Sequence, residues 1–260
     1  SHTAYFMSII SKVAIKKKIL VYCVGPQNLF SIKKKHLSKH SCCKIFSKSF
    51  KNLKNNKKKY LDIAKNKLAS RFAGEFDEKL LLDQKTETVL FKKNLYKKKI
   101  IENKKKTNIL VAAHCFSDAV HAYGKFFYTD YHDWIKFIGE LSKIKLNFDF
   151  YIKIHPAEYD KNYFHFIKFQ KIFPNLKILP KEININQLFT ENFDLVLTIY
   201  GSVGHEYPLF NKLIINASNN GPHSSYDFNV NPKNKKEYES IIKNISKNRI
   251  KMRSNFNKNK

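Results

Sequence analysis

The sequence predicts an α/β fold built on a doubly wound parallel sheet, and two observations support this prediction. Between residue 107 and about residue 230, short apolar runs alternate with segments whose apolar residues follow a helical period. The apolar runs are almost continuous, as is typical of strands that are covered on both faces. Strands that alternate with helices pair in parallel through right-handed crossovers. We therefore expect a Rossmann-like domain in this part of the chain.

The expected strands and helices of this domain alternate along the chain. The strands come from the runs NILVAAH, FDFYIKI, LKIL, FDLVLTIY and KLIINA, at residues 108–114, 148–154, 176–179, 193–200 and 212–217. The helices are expected at residues 130–146, 163–173, 186–191, 203–210 and 233–246. The first of these helices places Trp134, Phe137, Ile138 and Leu141 on one face, which predicts that this face packs on the sheet.

The preceding part of the chain is dense in lysine and weakly patterned. We expect a helix at residues 4–14 and a buried strand at residues 19–25, where the apolar run ILVYCVG ends before Pro26. A second helix is expected at residues 57–72, since its apolar residues follow a helical period and Gly74 is a typical helix stop.

Two lysine runs, at residues 97–99 and 104–106, mark the expected domain boundary. We predict a smaller N-terminal α/β lobe at residues 1–105 and the Rossmann-like domain at residues 106–260. The chain opens with Ser1 inside a helical pattern and without a methionine. We therefore expect a trimmed chain or a piece of a longer protein, with an incomplete N-terminal lobe.

The net charge of +28 suggests an anionic partner. Of the 49 basic residues only Arg71, Arg249 and Arg253 are arginines. Arginine is the usual choice for bidentate recognition of phosphates and bases, so the composition argues against a nucleic-acid partner. Lysine serves well as a diffuse charge near anionic lipid, so peripheral contact with an anionic membrane fits the composition.

The cysteines, Cys23, Cys42, Cys43 and Cys115, show neither a zinc spacing nor a disulfide framework. A reducing cytoplasm is the expected compartment. No apolar run reaches the roughly 18 residues that span a bilayer, and no signal peptide is recognisable. We expect a cytoplasmic protein, peripheral at the inner membrane face, that needs neither a metal nor a cofactor.

In open α/β sheets, ligands bind beyond the carboxyl ends of the strands. This rule selects three segments: HCFSDAVHAYG at residues 114–124, His155-Pro156, and YGSVGHE at residues 200–206. Pro156 stops the strand and favours an extended backbone at His155, whose ring nitrogens can donate to an anionic ligand. A simple turn explains the same dipeptide.

In GSVGHE, Gly201 and Gly204 flank Ser202 where a strand turns into a helix. Glycines allow close approach of the backbone to a ligand, and a helix amino end presents free N–H groups to an anion. A phosphate cradle is one interpretation, and an ordinary helix capped by Ser202 is the other. Glu206 could accept from ribose hydroxyls, or it is simply a favourable charge in a first helical turn.

The segment HCFSDAVHAYG holds the densest polar cluster: His114, Ser117, Asp118 and His121. Asp118 could act as a general base or a nucleophile, or it could be a turn carboxylate. A metal site from His114, Asp118 and His121 is conceivable, but no fixed zinc pattern matches, and we predict none.

Taken together and in order, these motifs resemble the capsule polysaccharide biosynthesis family, which is related to bacterial Kdo transferases of the GT-B type. The resemblance rests on HCFSDAVHAYGKFFYTDYHDWI, IKIHP, FPNLKILP and FDLVLTIYGSVGHEYPLFNKLIINA, and covers roughly residues 107–230. The stretch ASRFAGEF adds a faint match in the N-terminal part. The family pattern resembles HxFSDA, K-x-HP and a glycine-rich turn followed by a glutamate.

The resemblance implies a glycosyltransferase that transfers a sugar from a nucleotide-sugar donor, best matched by a CMP-linked acidic sugar such as Kdo, to a glycan or lipid-linked acceptor. It implies donor phosphate contacts from His155 and from Gly201, Ser202, Val203 and Gly204. Glu206 would bind the ribose. The catalytic residues would be Asp118, which supplies a carboxylate, and His155. His114, Ser117 and His121 are further candidates from the same loop.

This chain departs from the family pattern in two places. Relatives tend to have Gly-Lys-Pro where this chain has Asn211-Lys212-Leu213. Asparagine tolerates the left-handed conformation, so we expect the turn to survive. The N-terminal part is short for the acceptor-side lobe of a GT-B enzyme.

Two other function classes remain open from the sequence. A nucleotide-sugar epimerase would alter the free donor without an acceptor. A non-catalytic relative would only bind glycans, nucleotides or partners, without converting them. The absence of any nucleotide binding would favour this class.

Overall fold

The computed structural model describes residues 5–24, 29–32, 57–73, 96, 98–101, 103–116, 126–155, 159–183, 185–219, 221, 223–224 and 226–246. The elements are α1 (Tyr5–Lys16), β1 (Val21–Val24), β2 (Leu29–Ile32), α2 (Lys57–Ala73), β3 (Thr107–Ala112), α3 (Tyr131–Ile144), β4 (Phe148–Lys153), α4 (Tyr159–Ile172), β5 (Leu176–Ile178), α5 (Ile185–Thr190), β6 (Leu195–Thr198), α6 (Val203–Glu206), a 3₁₀ turn (Tyr207–Phe210), β7 (Leu213–Asn216) and α7 (Lys235–Lys243).

The main sheet has five parallel strands in the spatial order β5-β4-β3-β6-β7. From β3 the chain adds β4 and β5 on one side, then returns to place β6 and β7 on the other side. The strand order therefore reverses between β3 and β6, where Ile109 pairs with Leu195 and Val111 with Leu197. The predicted doubly wound α/β fold is confirmed, and its topological switch point lies between these two strands.

Both faces of this sheet are covered, as the continuous apolar strands predict. Alternate strand residues such as Ile109, Phe150 and Leu197 face one core, which also contains apolar side chains of α3, α4 and α7. The intervening residues, such as Leu110 and Val196, face a second core formed with α5, α6, the 3₁₀ turn and the segment at residues 100–101. The two helix layers hold the strand ends in fixed register.

One hydrogen bond ties the first helix layer together. The indole Nε1–H of Trp134 on α3 donates to the hydroxyl of Tyr238 on α7 over 2.9 Å, and both side chains are fully buried. A buried indole usually finds such a partner, because leaving the donor unsatisfied is costly. This bond fixes α7 to α3, the helix that the sequence predicts to pack on the sheet through this face.

The predicted helix at residues 203–210 changes to a 3₁₀ turn after Glu206. Pro208 has no N–H to donate to the carbonyl of Gly204. That carbonyl accepts instead from the side-chain amide of Asn229, over 2.8 Å. The turn ends at Asn211, whose φ of 56° and ψ of 28° are left-handed. The prediction that asparagine preserves this turn is confirmed.

The prediction of a strand within residues 19–25 is confirmed at Val21–Val24, but the prediction that this run is buried is wrong. β1 pairs with β2 as an antiparallel two-stranded sheet that is separate from the main sheet. Ile19, Leu20 and Tyr22 are each more than half exposed. A two-stranded ribbon offers too little surface to cover both of its faces, so the apolar run alone was not enough to predict burial.

α1 and α2 lie close to their predicted positions. Among the residues described, no helix combines the length and apolar character needed to cross a membrane.

Candidate functional site

The candidate site lies at the carboxyl ends of β3, β4 and β6. His114 follows β3 and meets Tyr200, which follows β6: the imidazole Nε2 accepts a hydrogen bond from the Tyr200 backbone N–H over 3.1 Å. Because Nε2 is the acceptor, the proton of the neutral ring lies on Nδ1. This bond connects the carboxyl end of β3 to that of β6 at the switch point.

Aromatic rings surround His114 on several sides. Its ring lies nearly parallel to Tyr131, with centroids 5.0 Å apart and an angle of 13°. It is also nearly parallel to His155, at 6.4 Å and 9°, and meets Tyr200 edge-on at 5.9 Å. The sequence-predicted His114 and His155 are thus brought together, with their ring planes aligned.

Three consecutive residues after β3 each bind a different element. His114 is bonded to Tyr200 as described. The sulfur of Cys115 lies 3.3 Å from Nδ1 of His155, which follows β4. The backbone N–H of Phe116 donates to the side-chain oxygen of buried Asn162 on α4, over 2.9 Å. The segment therefore connects the strand ends and limits how far either histidine can move.

Gly201 and Gly204 are needed by internal packing. The Gly201 N–H donates to the hydroxyl of Thr198 over 3.3 Å, and a Cβ on Gly201 would lie only 2.8 Å from that oxygen. A Cβ on Gly204 would lie 2.5 Å from the ring of His223. The sequence suggested close ligand approach as the reason for these glycines. The structure shows that protein atoms fill the side where a Cβ would be.

Ser202 occupies the cap position of α6 without capping it. Its backbone is helical, with φ of −56° and ψ of −24°, and its side chain makes no capping hydrogen bond. The capped-helix interpretation of this serine is wrong in that respect. Ser202 is exposed.

The side chains of Val203 and Glu206 are buried. The Val203 side chain belongs to the second core, so only its backbone can face a ligand. Glu206 is 7% exposed. Burial of Tyr207, next to this glutamate, raises the pKa of its phenol well above the usual value, and the Glu206 charge adds to the effect.

Sequence reasoning missed a histidine pair beside this turn. His205 on α6 and His223 in the loop after β7 meet edge to face, with centroids 5.4 Å apart. His223 is fully buried, and within the described residues neither of its ring nitrogens has a hydrogen bond of regular geometry, although the Ile199 carbonyl lies near. Burial lowers the pKa of His223 to about 3, and the neighbouring histidines add to the effect. Desolvation by the surrounding atoms also lowers the pKa of His205, although its side chain keeps an exposed part.

Lys153 is the lysine of the K-x-HP pattern, at the end of β4. Its ammonium donates to the backbone carbonyls of Lys181 and Ile183, in the loop after β5. Burial lowers the pKa of Lys153 to about 8, against the opposing charge of Glu182. Lys153 therefore holds the loop after β5 against the end of β4.

The remaining predicted residues lie outside the described part of the chain: Ser117, Asp118, His121 and Pro156. Their positions relative to His114 and His155 stay predictions. The Nε2 of His114 already accepts from a backbone N–H, so that nitrogen is not available to the metal site considered from the sequence. Among the described residues, no group of three potential ligands could hold a metal ion.

Comparison with known proteins adds little about activity. A scan against models of known protein families finds no match, and a search of curated proteins finds no significant relative. The chain is similar to a solved structure, the UDP-GlcNAc 2-epimerase of Methanocaldococcus jannaschii in complex with UDP-GlcNAc and UDP. The identity is 18%, the TM-score is 0.39, and the match covers 55% of this chain and 40% of the epimerase chain. A likeness this distant says nothing about activity.

Proposed function

We propose that this chain is a nucleotide-sugar-dependent glycosyltransferase of capsule or surface-polysaccharide assembly, with the donor bound at the switch point. The observation that supports the proposal is the junction of strand ends, where the His114 ring is bonded to Tyr200 and aligned with His155. Ligands of doubly wound folds bind in this crevice. The motif order that resembles the capsule polysaccharide family falls on the same strand ends.

In this proposal, His155, the exposed hydroxyl of Ser202 and the backbone N–H groups of Ser202 and Val203 donate to the donor phosphate. The N–H groups of Gly201 and Gly204, which flank them, already donate to Thr198 and to the Gly201 carbonyl. Departure of the sugar leaves negative charge on that phosphate, and hydrogen-bond donors fixed in advance stabilise it in the transition state. Asp118 is the proposed catalytic carboxylate. The donor is a CMP-sugar of the Kdo type, and Glu206 is the proposed ribose ligand.

The acceptor is proposed to be a glycan or a lipid-linked sugar. The N-terminal part, residues 1–105, is the proposed acceptor-side lobe, and residues 106–260 form the proposed donor domain. No nucleic-acid partner and no cofactor enter this proposal.

We further propose that α1 docks on an anionic membrane surface at the cytoplasmic face. Ile9, Ile10 and Val13 are each more than half exposed and share one helical face. Exposed Lys12 and Lys16 lie along one edge of that face. An exposed apolar stripe bordered by lysines has the chemistry of a helix that lies in the interface of an anionic bilayer.

The experiment that tests the enzymatic proposal is a product analysis with CMP-Kdo, with and without a glycan acceptor. The proposal expects CMP release that depends on the acceptor. Conversion of the free donor without any acceptor would instead indicate an epimerase. If the chain neither binds nor converts a panel of CMP-, UDP- and GDP-sugars, the nucleotide-sugar proposal is wrong.

A further inference from the structure

Cys115 lies beside His155, at the position where the family pattern HxFSDA allows any residue. It stands between His114 and Phe116, and both neighbours are held by hydrogen bonds to other elements. The thiol is not part of a disulfide and is 3% exposed. Its sulfur lies 3.3 Å from Nδ1 of His155, which is within hydrogen-bonding distance.

The direction of this hydrogen bond decides what the other ring nitrogen can do. A neutral imidazole carries one N–H and one bare nitrogen. If the thiol donates to Nδ1, then Nε2 carries the proton and is the donor. The opposite direction would place the Nδ1 proton on a neutral sulfur, which is a weak acceptor, or would require a thiolate. A sulfur that is 3% exposed has almost no water to solvate a negative charge, so the thiolate is disfavoured.

We propose that Cys115 is a positioning residue for His155: its S–H donates to Nδ1, holds the neutral ring in the Nε2–H tautomer, and fixes the ring plane beside that of His114. An Nε2–H donor is what an anionic oxygen at this sheet edge requires. The identity of that anion rests on the proposed function, whereas the tautomer of His155 does not.

The direct test is the histidine tautomer, measured by ¹⁵N NMR of the imidazole nitrogens and assigned with the His155→Gln variant. The wild type is expected to show His155 as the Nε2–H tautomer. Cys115→Ser keeps a donor at the same place and should keep this tautomer. Cys115→Ala removes the donor and should give a mixture of both tautomers.

Binding of CMP, measured by calorimetry on the same proteins, gives the functional consequence. Cys115→Ala should weaken binding about fivefold, the effect of one hydrogen bond of ordinary strength, and Cys115→Ser should restore it. If Cys115→Ala does not fold, Cys115→Val provides a variant of larger volume without a donor.

The inference is overturned if the wild type shows Nδ1–H, if the alanine variant keeps the wild-type tautomer, or if ultraviolet absorbance reveals a thiolate paired with a charged ring. If the wild type binds no nucleotide, the proposed function fails, but the tautomer comparison still decides the role of Cys115. Loss of CMP affinity in both Cys115→Ala and Cys115→Ser, with the tautomer unchanged, would show that only packing is affected and would contradict the proposal.

Discussion

The backbone N–H of Tyr200 donates to Nε2 of His114 over 3.1 Å, so that a side chain from the end of β3 binds the main chain just beyond β6. These are the two strands between which the sheet order reverses. Neither residue can shift without affecting the other. The turn that leads from Tyr200 to Ser202 is therefore placed by a residue more than 80 positions earlier in the chain.

Replacing His114 should separate the two things its ring does. His114→Phe keeps an aromatic ring near Tyr131 but leaves the buried Tyr200 N–H without an acceptor, which costs about 1–3 kcal/mol of unfolding free energy. His114→Gln offers a carbonyl oxygen as a new acceptor and should lose less. Denaturant unfolding measures the stability, and hydrogen exchange at the Tyr200 amide reports the bond. Equal protection of that amide in both variants would contradict this account.

Gly204→Ala should destabilise the fold by about 3 kcal/mol, near the upper end for overpacked cores, because its Cβ would overlap the His223 ring. The matched control is the same substitution in a His223→Ala background, where the space is open and most of the cost should disappear. A double-mutant cycle of unfolding free energies measures this coupling. Additive effects of the two substitutions would show that the contact does not determine the glycine.

His223 should make the fold sensitive to acid. Its pKa is lowered from 6.5 to about 3 in the fold, so the unfolded chain binds the proton more readily. The contribution of neutral His223 to the free energy of unfolding is fully present above pH 6.5, the pKa of histidine in the unfolded chain. It is lost as the pH falls from 6.5 towards about 3, the pKa in the fold. Between about pH 7 and about pH 5, the wild type should lose about 2 kcal/mol more than His223→Leu. Parallel pH profiles for the two proteins would rule out this role.

Ser202→Ala should leave stability within about 0.5 kcal/mol of the wild type, since the side chain is exposed and makes no capping bond. CMP affinity should fall about tenfold if the hydroxyl donates to a charged phosphate. Ser202→Thr keeps the hydroxyl and is the control. Full nucleotide affinity in the alanine variant would remove Ser202 from the site.

The membrane proposal predicts that Ile9→Asn with Val13→Asn abolishes sedimentation with vesicles of phosphatidylcholine and phosphatidylglycerol. Leu146→Asn removes an apolar side chain that is even more exposed, outside α1, and should have no effect. Pure phosphatidylcholine vesicles should bind the wild type weakly, because each nearby lysine contributes about 1 kcal/mol only on an anionic surface. Unchanged binding of the double variant, or a stable dimer through α1, would contradict this proposal.

The strands of the main sheet could be predicted because they are buried on both faces, and such strands leave continuous apolar runs such as residues 193–200. The turn at Asn211 could be predicted because its conformation depends on the residue itself. The strand β1 was predictable in the same way, but its exposure was not, because burial depends on what covers a strand and the apolar run does not encode that.

The reason for Gly204 could not be predicted either. Any larger residue at this position would clash with His223, which belongs to the loop after the next strand. The contact between Cys115 and His155 could not be predicted from the sequence, because the register of β3 beside β4 brings the sulfur to the imidazole. Residues that act through distant neighbours leave no local pattern.

The most direct test of the central claim is calorimetric titration of CMP, UDP and GDP into the wild type and into His155→Ala. A donor phosphate site at the switch point predicts that the wild type binds CMP in preference to UDP and GDP. His155→Ala should lose about tenfold or more of that affinity while unfolding at the wild-type temperature, since a charge-assisted hydrogen bond is removed. Equal CMP affinity in both proteins, or no nucleotide binding by the wild type, would contradict the account.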